Sequence, residues 1–211
     1  MKKRLFRKKL LDRKNSVATK TVLLLGVMLV MVTIYNTYHN QRLGVDPKSY
    51  KKLLDVIALA ESNNNYNAYF GNANNAEVIF TEMTISEVQA WQAKHVENGS
   101  PSSAVGRYQI ISTTLNGLVD ELDVNANTTL YNEQTQDTMA AALLERRGII
   151  DYVNTNISKE VFAYNLSMEW AGLPKVIGEN PNASFYMSDG LNKSHVTTQE
   201  VLQAIKSVRA T

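Results

Sequence analysis

The chain has 211 residues, no cysteine and three histidines, and carries a net charge of +2. Without cysteine there is no disulfide framework and no thiolate metal site. His39, His95 and His195 stand too far apart for metal-ligand spacing, so neither a metal nor a cofactor is expected. Residues 1–20 hold nine Lys or Arg against one Asp, a net of +8, which leaves 2 − 8 = −6 on residues 21–211. An acidic body of this kind speaks against nucleic acid as a partner.

Residues 1–20 read as a basic cytoplasmic tail and residues 21–41 as a transmembrane signal anchor. The second stretch has no Lys, Arg, Asp or Glu and is almost wholly apolar from Val22 to Tyr35. Lys20 can snorkel at one end, and Tyr35 and Tyr38 can anchor the other. No small-x-small cleavage site follows the apolar run. The basic flank sets the N-terminus in the cytoplasm and the remainder outside, with the lipid bilayer as a partner through residues 21–41. After a linker from Gln41 to Val45, residues 46–211 form one further domain.

Asp46-Pro47 marks a helix start. Tyr50, Leu53, Leu54, Ile57 and Ala58 then draw a buried stripe at helical spacing. Asn63 to Ala76 is rich in Asn and Gly and predicts turns. Glu77 to Thr81 predicts a short strand, paired with Tyr66 to Phe70 as a small hairpin. Thr84-Ile-Ser-Glu87 is a capping box opening a helix to about Lys94. A Gly/Ser/Pro loop leads to Ala104–Ile111 and a helix to about Leu122. Asp123-Val-Asn125-Ala-Asn127 starts like a calcium loop, but Thr128 replaces the required glycine and Gln134 the closing acid, which leaves a solvated turn. Helices follow from Gln134 to Arg147, ended by Gly148, and from a Ser158 cap to Trp170. A polar segment runs to Lys193. A last helix begins at Thr197, with Glu200 completing a second capping box. The fold class is α+β, a mostly α-helical domain with a small β element, preceded by one N-terminal transmembrane helix.

One turn past Ile57 the buried stripe lands on Glu61. Desolvation there raises a carboxyl pKa, as a general acid near neutral pH requires. A helix-end glutamate that simply points to water fits the same stretch.

Three separated pieces occur in order: Glu61-Ser62, Gly106-Arg-Tyr-Gln-Ile110 and Ala163-Tyr-Asn165. Together they resemble the lytic transglycosylases and lysozymes that cleave peptidoglycan. The Ala104-x-Gly-Arg-Tyr-Gln-Ile run, the Phe80-Thr81-Glu82 segment and the Trp170-Ala-Gly-Leu-Pro174 ending bring the variant closer to the phage type, such as the lambda-phage endolysin. The resemblance covers residues 46–174 and, more loosely, Phe185 to Val208. It implies a lysozyme-like fold and peptidoglycan glycan strands as the partner. It makes Glu61 the catalytic residue, with Ser62, Tyr108, Gln109, Tyr164 and Asn165 binding substrate. The tyrosines suit stacking on sugar faces, and Gln109 and Asn165 suit hydroxyl and N-acetyl groups. Arg107 fits a structural hydrogen-bonding role better than a substrate contact.

Glycosidases usually pair two carboxylates. Glu77 and Glu82 are the main candidates for a second, beside Glu87, Asp120 and Glu169. Lytic transglycosylases instead use one glutamate as acid and then base, which closes a 1,6-anhydro ring on the muramic residue. The expected function is that of a membrane-anchored lytic transglycosylase cutting the β-1,4 MurNAc-GlcNAc bond. It would be phage-encoded and open the wall locally, during delivery of the viral genome or during lysis. Its setting would be the virion membrane or the host inner membrane, where other virion or membrane proteins are further partners. The alternatives are a hydrolysing lysozyme with a second carboxylate, and a non-catalytic peptidoglycan-binding or assembly protein.

Overall fold

The computed structural model describes residues 47–208. The basic tail, the transmembrane anchor at 21–41 and the Asp46 cap lie outside the described residues. Among the described residues no helix is long and apolar enough to cross a membrane.

A 3-10 turn, Pro47–Tyr50, leads into α1 (Lys51–Ser62). The helices that follow are α2 (Ile85–Glu97), α3 (Ser112–Glu121), α4 (Glu133–Arg146), α5 (Ile149–Val153), α6 (Lys159–Ser167) and α7 (Thr198–Val208). The apolar stripe of the first helix is the centre of the core, with Leu53, Ile57 and Ala58 each 0 % exposed. Helix α1 packs most extensively on α7 and also on α4, while α6 packs on both α5 and α7. Val201, Ala204, Ile205 and Val208 are the buried face of α7.

Capping follows local chemistry. Thr84 and Glu87 close a reciprocal capping box at α2. The Ser158 hydroxyl accepts from the Val161 N–H at α6, and Thr197 and Glu200 bond reciprocally at α7. Gly148, at φ +95°, is more than a stop. It joins α4 directly to the short helix α5, in a stretch where the sequence pattern predicts no helix. A left-handed single residue permits this sharp change of direction.

The expected hairpin between Tyr66–Phe70 and Glu77–Thr81 does not form. Phe80–Glu82 is a 3-10 turn, and Tyr69 bridges Asn72 and Val105 instead. The β element is reduced, among the described residues, to isolated bridges. The cause is side-chain competition for the backbone. The Asn75 amide donates to the carbonyls of Asn67 (2.5 Å) and Val78 (2.7 Å). Its oxygen accepts from the N–H groups of Glu77 and Val78. The Asn67 side chain accepts from the Thr81 N–H. These bonds use the groups that a strand ladder would need. Beneath this loop Phe80 and Trp91 meet edge-on at 4.8 Å, and Trp91 stacks on His95 at 4.5 Å.

Candidate active site

Glu61 sits in the last turn of α1. The chain leaves that helix through Asn63 and Asn64, both left-handed at φ 54° and 65°, a conformation that asparagine tolerates. The side chain of Glu61 is half-buried. Its Oε1 accepts a 2.7 Å hydrogen bond from the Gly172 N–H. Burial pushes its pKa up to about 7, against the opposing pull of that one N–H. The reading of Glu61 as a helix end pointing freely to water is therefore excluded by its geometry.

Gly172 makes this contact possible. A Cβ at position 172 would lie 2.7 Å from the Ala60 carbonyl oxygen and 3.0 Å from Glu61 Oε1. The carbonyl belongs to the backbone of α1 and cannot yield as a side chain would. In sequence, Gly172 looks only like a helix terminator. Nothing in composition or spacing links it to a glutamate 111 positions away.

The Gly106–Ile110 segment is a tight hairpin turn, closed by a bridge between Val105 and Ile110. Gly106 has φ +80°, and a Cβ there would run into the Gln136 side-chain oxygen. The turn is tied to the acid's helix, because the Ser62 hydroxyl donates to the Arg107 carbonyl at 2.7 Å. The guanidinium of Arg107 reaches Asp55 Oδ1 (2.7 Å), Asn64 Oδ1 (3.1 Å) and the Tyr108 hydroxyl (2.8 Å). The Tyr108 hydroxyl donates in turn to Asp137 at 2.6 Å. Asp55 lies before Glu61 on α1 and Asn64 lies after it. Arg107 thus clamps both sides of the turn that carries the acid. Asp55 and Asp137 are parts of this network that the sequence did not single out.

The geometry gives each expected substrate-binding residue a partner inside the fold. Ser62 is 0 % exposed and Tyr108 1 % exposed, with both hydroxyls committed internally. Both hydroxyls tie the site together; Ser62 is wholly enclosed, while Tyr108 still lines a cavity. Gln109 is half-buried and bonds through its side chain to the Gly106 carbonyl. Asn165 donates to the Arg147 carbonyl at 3.1 Å. Tyr164 is half-buried, edge-on to Phe185 at 5.8 Å. Glu77, Glu82, Glu87 and Asp120 are exposed. Glu87 is engaged by Thr84, and Glu169 is held by Arg147. No carboxylate hydrogen-bonds to Glu61 among the described residues.

A cavity of about 470 Å³ opens beside this centre, lined by Thr114, Leu143, Arg146, Arg147, Trp170 and Tyr186 among others. Glu61 is not in its wall. Two lining residues are near neighbours in sequence of the groups that hold the Glu61 turn: Trp170 stands two residues before Gly172, and Tyr108 follows the Arg107 that accepts from Ser62. The Tyr186 hydroxyl closes one edge by donating to the Met168 carbonyl.

A carboxyl of raised pKa, held at a helix end by the Gly172 N–H beside the clamped Gly106–Ile110 turn, has the chemistry of a general acid. The family model for endolysins matches residues 51–189, from α1 through the Tyr186 segment. The chain belongs to the endolysin family, and with it to the phage enzymes that cleave peptidoglycan. No curated protein and no solved structure matches the chain.

Proposed function

We propose that the protein is a lytic transglycosylase in which Glu61 serves first as acid and then as base. The supporting observation is the Glu61 carboxyl itself, at a pKa of about 7 with one oxygen fixed by the Gly172 N–H and no second carboxylate bonded to it. Because Oε1 accepts that bond, the proton resides on Oε2. From Oε2 it passes to the oxygen leaving the β-1,4 bond between N-acetylmuramic acid and N-acetylglucosamine. The carboxylate left behind takes the proton of the muramic 6-hydroxyl, whose oxygen bonds to C1. The product carries a 1,6-anhydro ring and no water is consumed. A pKa near ambient pH suits a group that must both give and take a proton.

Mass spectrometry of digested sacculi tests this. Expected are fragments lacking one water at the muramic end, and none from Glu61→Gln. Fragments carrying that water would establish a hydrolase and end the transglycosylase reading. Residues 21–41 fit a signal anchor that tethers the enzyme to a bilayer, with the basic tail at the anionic inner leaflet. That tether suits local wall opening by a phage, in genome delivery or lysis.

A further inference from the structure

The chemistry of the cavity that Trp170 and Tyr108 help to line is unlike that of a site for neutral sugars alone. Arg146 and Arg147 are consecutive at the end of α4, and both line it. Arg146 is paired with Glu121. Arg147 gives its Nε and Nη2 to Glu169 Oε2, at 2.8 and 2.7 Å. Arg146 likewise donates through Nε to Glu121 at 2.7 Å. Each guanidinium thus spends one edge on a glutamate, and neither Nη1 has a hydrogen-bonding partner among the described residues. Ile111, Leu143 and Met168 add aliphatic wall between these charges. A neutral glycan ring can use the aliphatic wall through its N-acetyl methyl, but it has no charge to meet two guanidinium edges. A carboxylate on a short apolar chain needs both: planar donors that match its two oxygens, and apolar surface for its methyl and methylene groups.

We infer that this cavity receives the peptide stem carried by the muramic residue, with Arg146 and Arg147 holding a stem carboxylate through their free edges. This rests on the reading of peptidoglycan as substrate and goes beyond it. It makes the enzyme selective for peptide-bearing strands over bare glycan. Trp170 and Tyr108 in the cavity wall belong to the same two segments that carry Gly172 and Arg107, which suits holding a stem while the bond of its own muramic residue is cut.

The test compares full-length protein on two substrates. One is uncross-linked peptide-bearing strands, and the other is strands whose lactyl amide has been hydrolysed. Wild type should show a higher kcat/KM on the first, and Arg146→Gln should lower that preference about tenfold, the scale of one charge-assisted hydrogen bond. The double variant Arg146→Gln/Glu121→Gln should show the same loss, which separates a missing guanidinium from a newly unpaired glutamate. Direct binding of the free stem peptide to Glu61→Gln protein, followed by NMR, should disappear when Arg146→Gln is added. Equal rates of wild type on both substrates, or a preference for the bare lactyl carboxylate, would overturn the inference. So would stem binding that ignores Arg146. Failure to cleave either substrate would instead strike the proposed activity, and the stem-binding measurement would still report on the cavity.

Discussion

A half-buried carboxyl with one oxygen held by a backbone N–H has a preferred place for its proton and a defined range of pH in which it keeps it. Glu61 needs its proton for the first step, so kcat/KM should fall as pH rises through about 7. The same shift is a stability term. The folded pKa lies above the ordinary value, so the contribution is fully present below pH 4.5 and is lost as pH rises through about 7. Glu61→Gln removes that loss. It should match wild type near pH 4 and exceed it at pH 8 by up to roughly 3 kcal/mol, measured by denaturant melts. Equal stability at both pH values would show that the carboxyl is not desolvated. Burial and the nearby Glu121 also hold Glu145 at about 7. The comparison with Glu61→Gln therefore isolates the catalytic group where the wild-type curve alone would not. Gly172→Ala should cost about 1–3 kcal/mol from the clash with the Ala60 carbonyl and lower kcat more than it raises KM. An unchanged kcat would remove Gly172 from the role of setting the acid.

At the scale of elements, side-chain amides do the work expected of strands. Asn75 is 5 % exposed and makes four hydrogen bonds to the loop backbone. Asn75→Ala leaves those groups without partners. It should destabilise the protein by about 2–3 kcal/mol and speed hydrogen exchange across residues 67–78 well ahead of the helices. Uniform exchange would mean that the loop is held elsewhere. The Glu77–Thr81 segment has strand-like composition, but composition does not register that an asparagine a few positions earlier will take its N–H groups. The capping boxes at Thr84 and Thr197 were legible for the opposite reason. Their partners lie three residues away, within one turn, where local geometry alone decides.

At the scale of the whole molecule, residues 46–211 form one compact unit by themselves. A chain starting at Asp46 should keep its thermal midpoint and its activity on soluble strands, while only the full chain should sediment with membranes. Loss of the melting transition in the shorter chain would show that the first 45 residues contribute to folding. Periodicity and local spacing marked the order of the main helices, the burial of the α1 stripe and the place of Glu61 on it, because those depend on neighbours within a few turns. The tertiary structure alone decided which partners the expected contacts take inside the fold. Ser62 and Tyr108 proved to be ties between α1 and the Gly106–Ile110 turn. Gly172 and Arg107 set the acid from across the fold, and Arg146 and Arg147 come to line one cavity with Tyr108 and Trp170. The physical reason is range. A helix is written in contacts three and four residues apart, whereas the environment of Glu61 is made by groups 46 and 111 positions away in the chain, whose approach only the packed core determines.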